Sequence, residues 1–179
     1  LGLPFIALKE PFMSTQDNLQ TAFAGESQAN RKYTAYAKKA EQDKKPQIAR
    51  IFRAAAYAET VHALNHFRAM GKVKSTVENL KDGMEGESYE FTSMYPPFLE
   101  DAKKENVPAA INAFRFALEA ERGHYDLYKK ALEAAEKGQD LPGKKMWVCE
   151  VCGHTFEGDE APEKCPICGA NHKAYTEVL

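Results

Sequence analysis

Glu59-x-x-His62 and Glu121-x-x-His124 set the tightest limit on what this chain can fold into. Residues three apart share one face of a helix, so each pair offers a carboxylate and an imidazole to the same cation. One such pair alone is ordinarily the solvated face of an amphipathic helix. Two pairs are a different matter, because carboxylates taken unpaired into a helical core cost several kcal/mol each and must be met by positive charge. Two Glu-x-x-His helices joined by one further Glu from each of two other helices make a di-metal four-helix bundle. Imidazole and carboxylate together suit iron, manganese or zinc.

The rest of the chain supplies the helices that this reading needs. Ser14, Thr15, Asp17 and Asn18 can cap a first helix, rich in Ala, Gln, Lys and Tyr and free of Pro, that runs to about Glu41. Pro46 opens a second, with Ile48, Ile51, Phe52, Ala55, Ala58, Leu64 and Phe67 at helical spacing before Gly71. Ser75 and Thr76 cap a third that reaches roughly Asn106, with Gly83 and Gly86 expected to weaken its first turns. Pro108 opens a fourth, in which Ile111, Phe114, Phe116, Leu118, Leu127, Tyr128 and Leu132 are the apolar positions before Gly138.

Glu26, Glu59 and Glu121 lie at similar depth in their helices, which begin at Ser14, Pro46 and Pro108. In the third helix two acids compete. Internal repetition favours Glu87, since Ala24-Gly25-Glu26-Ser27 resembles Glu85-Gly86-Glu87-Ser88, while depth after Thr76 favours Glu90. The sequence leaves that choice open. His66 shares a face with His62 and reads as a neighbour of the site, and Tyr33 as an inward-pointing phenol.

After a Gly, Gln, Asp, Pro and Lys-rich stretch from Lys137 to Lys145, all 4 cysteines follow as Cys149-x-x-Cys152-Gly153 and Cys165-Pro166-x-Cys168-Gly169. The roughly 35 residues left there are below the ~40 that a chain usually needs to fold on apolar burial alone. Two such knuckles converge on a tetrahedral four-thiolate site that accepts zinc or one iron. Trp147, Phe156 and Tyr175 give aromatic cover. The residues alone leave iron and zinc both open, and disulfides fit poorly without a secretion signal.

A net charge of -2, from 24 basic and 26 acidic residues, provides no field for nucleic acid or an anionic membrane. No apolar run is long enough to span a bilayer, and the expected location is cytoplasmic. Residues 1–13 have no helical period and read as an upstream extension or cloning remnant, residues 14–140 as the bundle, and 141–179 as linker and cysteine module.

Phe23-Ala24-Gly25-Glu26-Ser27, Ala58-Glu59-Thr60-Val61-His62, Glu90-Phe91-Thr92-Ser93-Met94-Tyr95-Pro96, Glu121-Arg122-Gly123-His124 and the two knuckles occur in the order found in rubrerythrins, which the chain resembles from about Ser14 to Leu179. The resemblance implies a ferritin-like domain with two non-haem irons and a C-terminal rubredoxin-like domain with one iron on Cys149, Cys152, Cys165 and Cys168. It implies Glu26, Glu59, His62, Glu90, Glu121 and His124 as ligands of the iron pair, with Glu87 beside them; for such a site, Tyr33 or Tyr95 is the phenol expected to orient peroxide or protons. It further implies reduction of hydrogen peroxide to water in oxidative-stress defence, with electrons from an external NADH-dependent reductase or a rubredoxin. A homodimer is expected, in some members with exchanged helices, and with the rubredoxin domain of one subunit near the di-iron site of the other. With Glu90 taken as the first carboxylate of the third helix, the second one usual in the family falls at Ser93, which implies a reduced set of four Glu and two His. Iron oxidation and storage, or reduction of oxygen, is the alternative; filling of both sites by zinc, as a binding module, is a third.

Overall fold

The computed structural model describes residues 14–179, so the expected extension over residues 1–13 lies outside the described residues. The chain divides into two compact units, one ending at Lys74 and the other spanning Ser75–Leu179.

The first unit is a helical hairpin of α1 (Thr15–Gln42) and α2 (Pro46–Ala69). Ser14 caps α1 reciprocally: its hydroxyl accepts from the Asp17 N–H, and the Asp17 carboxylate accepts from the Ser14 N–H, an arrangement worth about 1 kcal/mol. Pro46 opens α2, where its missing N–H has no helical partner to lose. The buried faces are lined by small residues, Ala37 and Ala40 on α1 and Ala49, Ala56 and Ala63 on α2, which bring the backbones close. Larger side chains close the ends: Phe23 stacks on Phe67 with ring centroids 4.9 Å apart, and Tyr36 meets Phe52 edge-on at 5.6 Å. Asn30 is buried between the helices, its amide donating to the Ala56 carbonyl and to Thr60 Oγ1.

In the second unit α3 (Thr76–Tyr89) begins at a second reciprocal cap, Ser75 with Glu78. Neither Gly83 nor Gly86 interrupts it. Gly83 instead admits Tyr128, since a Cβ at that position would lie 3.1 Å from the Tyr128 ring. The irregularity comes later, as a π-helical turn at Glu90–Met94 before α4 (Tyr95–Lys104). Pro96 and Pro97 cannot donate backbone hydrogen bonds, and their rings crowd the preceding turn, which an extra residue in that turn relieves. The last helix, α5, covers Pro108–Ala135.

The cysteine module is a three-stranded antiparallel sheet, β1 (Met146–Cys149), β2 (Thr155–Glu157) and β3 (Tyr175–Val178), in the order β2-β1-β3. Its core is Cys149, Cys152, Cys165 and Tyr175, with Trp147, Phe156 and Phe116 of α5 packed around it. Among the described residues no helix is long and apolar enough to cross a membrane.

Candidate metal sites

The four cysteine sulfurs lie within 4.8 Å of one another. Each knuckle turns back through a glycine in the left-handed region, Gly153 at φ 79° and Gly169 at φ 78°, whose N–H groups donate to the Cys149 and Cys165 carbonyls. A side chain at either position would be strained. Cys149 and Cys168 sulfurs are 3.7 Å apart, and Cys152 and Cys165 sulfurs 3.5 Å. A tetrahedron with metal–sulfur bonds of about 2.3 Å has edges of about 3.8 Å, whereas a disulfide requires about 2.05 Å. The sulfurs therefore fit one metal ion, and all four cysteines are free. Burial pushes the Cys152 thiol far up. At Cys165 burial acts in the same sense, but the Cys168 and Ile167 N–H groups and the Tyr175 hydroxyl outweigh it and bring the thiol down to about 6. A cluster with one thiol so reluctant to ionise needs a cation to become four thiolates.

In the first unit Glu26 of α1 meets Glu59 and His62 of α2, with one ligand atom from each within 4.8 Å of the others. His62 Nδ1 is 3.0 Å from Glu59 and 4.0 Å from Glu26. The Glu59 carboxylate beside it raises the pKa of Glu26, and the proton they share lowers that of Glu59, with His62 adding to the effect.

The second unit repeats this arrangement. Glu87 of α3 meets Glu121 and His124 of α5, with His124 Nδ1 2.6 Å from Glu121 and 3.7 Å from Glu87. Two ligands of one ion, at about 2.1 Å each, can be no more than about 4.2 Å apart, so all four of these histidine–carboxylate distances fit. Burial, and then the Glu121 carboxylate, push Glu87 up to about 7. Burial and Glu121 also raise Glu90. The Glu121 carboxylate raises His124, against the opposing effect of burial.

The helix α3 carboxylate in this trio is Glu87, not Glu90. Glu90 begins the π turn one helical turn on and faces Glu121 from there. The Gly-Glu-Ser repeat pointed to Glu87 and depth to Glu90, and it is Glu87 that lies in a trio with a Glu-x-x-His pair, as Glu26 does. Tyr95 is close enough for Glu90, Glu121 and Glu87 to add to burial in raising its hydroxyl. Tyr33 instead joins an aromatic group with Tyr36 and Phe52, two turns along α1 from Glu26. Two neighbours of the second trio have no motif to announce them. Tyr128 is raised by burial and by Glu87 and Glu121, and Thr155 Oγ1 is 2.9 Å from His124 Nε2.

Both parts of the chain match known families. The family profile described as Rubrerythrin matches residues 17–132, and the rubrerythrin rubredoxin-like domain matches residues 147–176. Rubrerythrin-2 of Clostridium acetobutylicum is 37% identical over 175 residues, covering 90% of this chain and 95% of its own. Nigerythrin of Nitratidesulfovibrio vulgaris is 38% identical over 177 residues, covering 91% and 86% respectively. The solved structure of fully reduced, all-ferrous nigerythrin superposes with a TM-score of 0.55 at 34% identity, over 97% of this chain and 91% of that one.

Proposed function

Since the chain belongs to the rubrerythrin family, as a di-iron oxidoreductase of ferritin-like and rubredoxin-like parts, we propose that it reduces hydrogen peroxide to water with electrons received through its four-cysteine centre. The observation that carries this reading is the pair of equivalent Glu, Glu, His trios in a chain that also holds a four-thiolate site. Storage or oxidation of iron has no use for a tethered electron carrier.

In this reading the residues that would hold the iron pair are Glu26, Glu59, His62, Glu87, Glu121 and His124. Glu90 is the second carboxylate of its helix, three residues after Glu87. The gap assigned to Ser93 then closes, and the chain has five Glu and two His for the iron pair. When bound, the irons supply the two electrons that, with two protons, convert one hydrogen peroxide into two waters. The protein's own part is to hold charge and protons in place. The carboxylates offset the cations, Glu90 adds a ligand within reach of Glu121, and the raised hydroxyls of Tyr95 and Tyr128 keep protons beside the site at neutral pH. An external NADH-dependent reductase or a rubredoxin refills the cysteine centre. Ile51, Val61 and Leu64 of α2 are exposed apolar side chains, surface that a second copy would cover in a homodimer, with or without exchanged helices.

Anaerobic titration of the fully reduced, iron-loaded protein with hydrogen peroxide tests the proposal. One peroxide consumed per two electrons, with iron retained and a dimeric native mass, is expected. Iron deposition in a cage, or indifference to peroxide, would replace it with the storage reading.

A further inference from the structure

Within the cysteine module, Tyr175 opens β3 directly opposite Cys149 of β1. Directly opposed residues of an antiparallel pair point to the same side of the sheet, so the phenol lies on the side where the sulfurs gather. Tyr175 is 8% exposed and shares one core with Cys149, Cys152 and Cys165. Burial raises its hydroxyl above the ordinary phenol range, and a hydrogen bond with Cys165 adds to the effect. The same hydroxyl is 2.7 Å from Nδ1 of His154, whose ring meets the phenol edge-on with centroids 6.0 Å apart.

A phenol has one proton and two partners here, so only one of them can receive it. Given to His154, the proton leaves the sulfur without this donor. Given to Cys165, it requires His154 to donate from Nδ1 to the phenol oxygen. A cysteine that ligates a metal ion is a thiolate, with no proton of its own. A hydrogen bond to a charged acceptor is about twice as strong as one between neutral groups, so with the ion bound the second arrangement wins. The bonds then run from His154 Nδ1–H to Tyr175, and from Tyr175 O–H to Cys165. The other donors to this sulfur, the N–H groups of Cys168 and Ile167, come with the knuckle turn itself. The hydroxyl is an addition from a separate strand.

We infer that Tyr175, held in place by His154, is a positioning residue for the four-cysteine centre: its O–H bond to Cys165 favours the reduced ion and so sets the potential at which the centre accepts an electron. Reduction of a bound iron from ferric to ferrous, by one electron from the external donor, adds one negative charge to the thiolate cluster. A hydrogen bond donated to sulfur stabilises that added charge, and such bonds are among the levers that fix the potentials of iron–sulfur centres. The centre thereby holds its electron until an oxidant arrives. The inference rests on the proposed role of this centre as an electron carrier, and not on what the electrons then reduce.

The first test is a redox titration of the full-length, iron-loaded protein, with the midpoint of the cysteine iron read from its visible ferric band. Tyr175→Phe keeps the ring and removes the hydroxyl. It should make reduction about tenfold less favourable, a fall of about 60 mV for a one-electron couple. His154→Phe, which leaves the phenol without its support, should lower the potential by less. Unchanged Trp147 emission in the zinc-loaded variants checks that the module stays folded. In zinc-loaded parent protein with ¹⁵N-labelled histidine, His154 should have its proton on Nδ1, a preference that Tyr175→Phe should remove. A lone pair on Nδ1 in the parent would mean that the phenol donates to the histidine instead, and would overturn the inference without any variant. So would an unchanged potential in Tyr175→Phe. If the potential falls as stated but the reduced parent ignores peroxide, the peroxidase reading fails and the role of Tyr175 stands.

Discussion

Glu87 governs how the trio on α3 and α5 takes up metal. Its carboxyl, lifted from the ordinary 4.5 to about 7 by burial and by Glu121, holds a proton for about half of the molecules near neutral pH. A cation must displace that proton, so uptake at this trio should release protons and weaken as the pH falls below about 7. The stability of the metal-free protein should move the other way. A raised pKa means that the native state binds more protons than the unfolded chain, so this contribution is complete below about 4.5 and is lost as the pH rises through about 7. Glu87→Gln should flatten that part of the profile in denaturation curves at different pH, and no change in slope would contradict the assignment. The same substitution should weaken zinc binding at this trio by about 100-fold or more, and Glu90→Gln by less, as for a residue at the margin of the site. Sequence carried both acids on one face, with repetition pointing to Glu87 and depth to Glu90, and packing brings Glu87 into the trio. The π turn rotates the chain at Glu90, and its cause, two prolines six and seven residues later, leaves no periodic trace at Glu90 itself.

Among the elements, the α1–α2 hairpin depends on a polar contact that no hydrophobic pattern could reveal. Asn30 is 7% exposed, and its amide bridges the Ala56 carbonyl and Thr60, one turn from Glu26 on one helix and beside Glu59 on the other. Asn30→Ala removes the amide that both accept from, leaving the Ala56 carbonyl only the Thr60 hydroxyl and its own helix as donors, at a cost of about 1–3 kcal/mol. Urea denaturation should show that loss, and a change below about 0.5 kcal/mol, the level of an ordinary surface substitution, would mean that water replaces the amide. The helices themselves were legible from caps and breakers: Ser14, Pro46, Ser75 and Pro108 stand where the sequence places them. Gly83 was misread as a weak point because a lone sequence shows the missing side chain and not the Tyr128 ring that fills its place.

For the molecule as a whole, two kinds of metal site divide the work of folding. The cysteine module has a core of Cys149, Cys152, Cys165 and Tyr175, too small to persist without its ion. Trp147, the 1 tryptophan of the chain, lies in β1 with its indole N–H donating to Gly158, and so reports on this module alone. Stripping the metal should shift its emission to the red while far-ultraviolet dichroism changes little, because the helices carry their own packing. A simultaneous loss of both signals would show that the helices depend on the module. The two knuckles and the Glu-x-x-His pairs were open to reading because each is a local spacing. The join of His124 to Thr155 was not, since it links residues far apart in sequence through a hydroxyl of common type. In the proposed function, electrons pass from the cysteine centre to a peroxide-reactive iron pair. Rapid mixing of the anaerobically reduced, iron-loaded protein with peroxide or with air, while following the visible ferric-thiolate band, tests it most directly. Colour should return much faster with peroxide than with air; equal or slower return with peroxide would rule out that transfer.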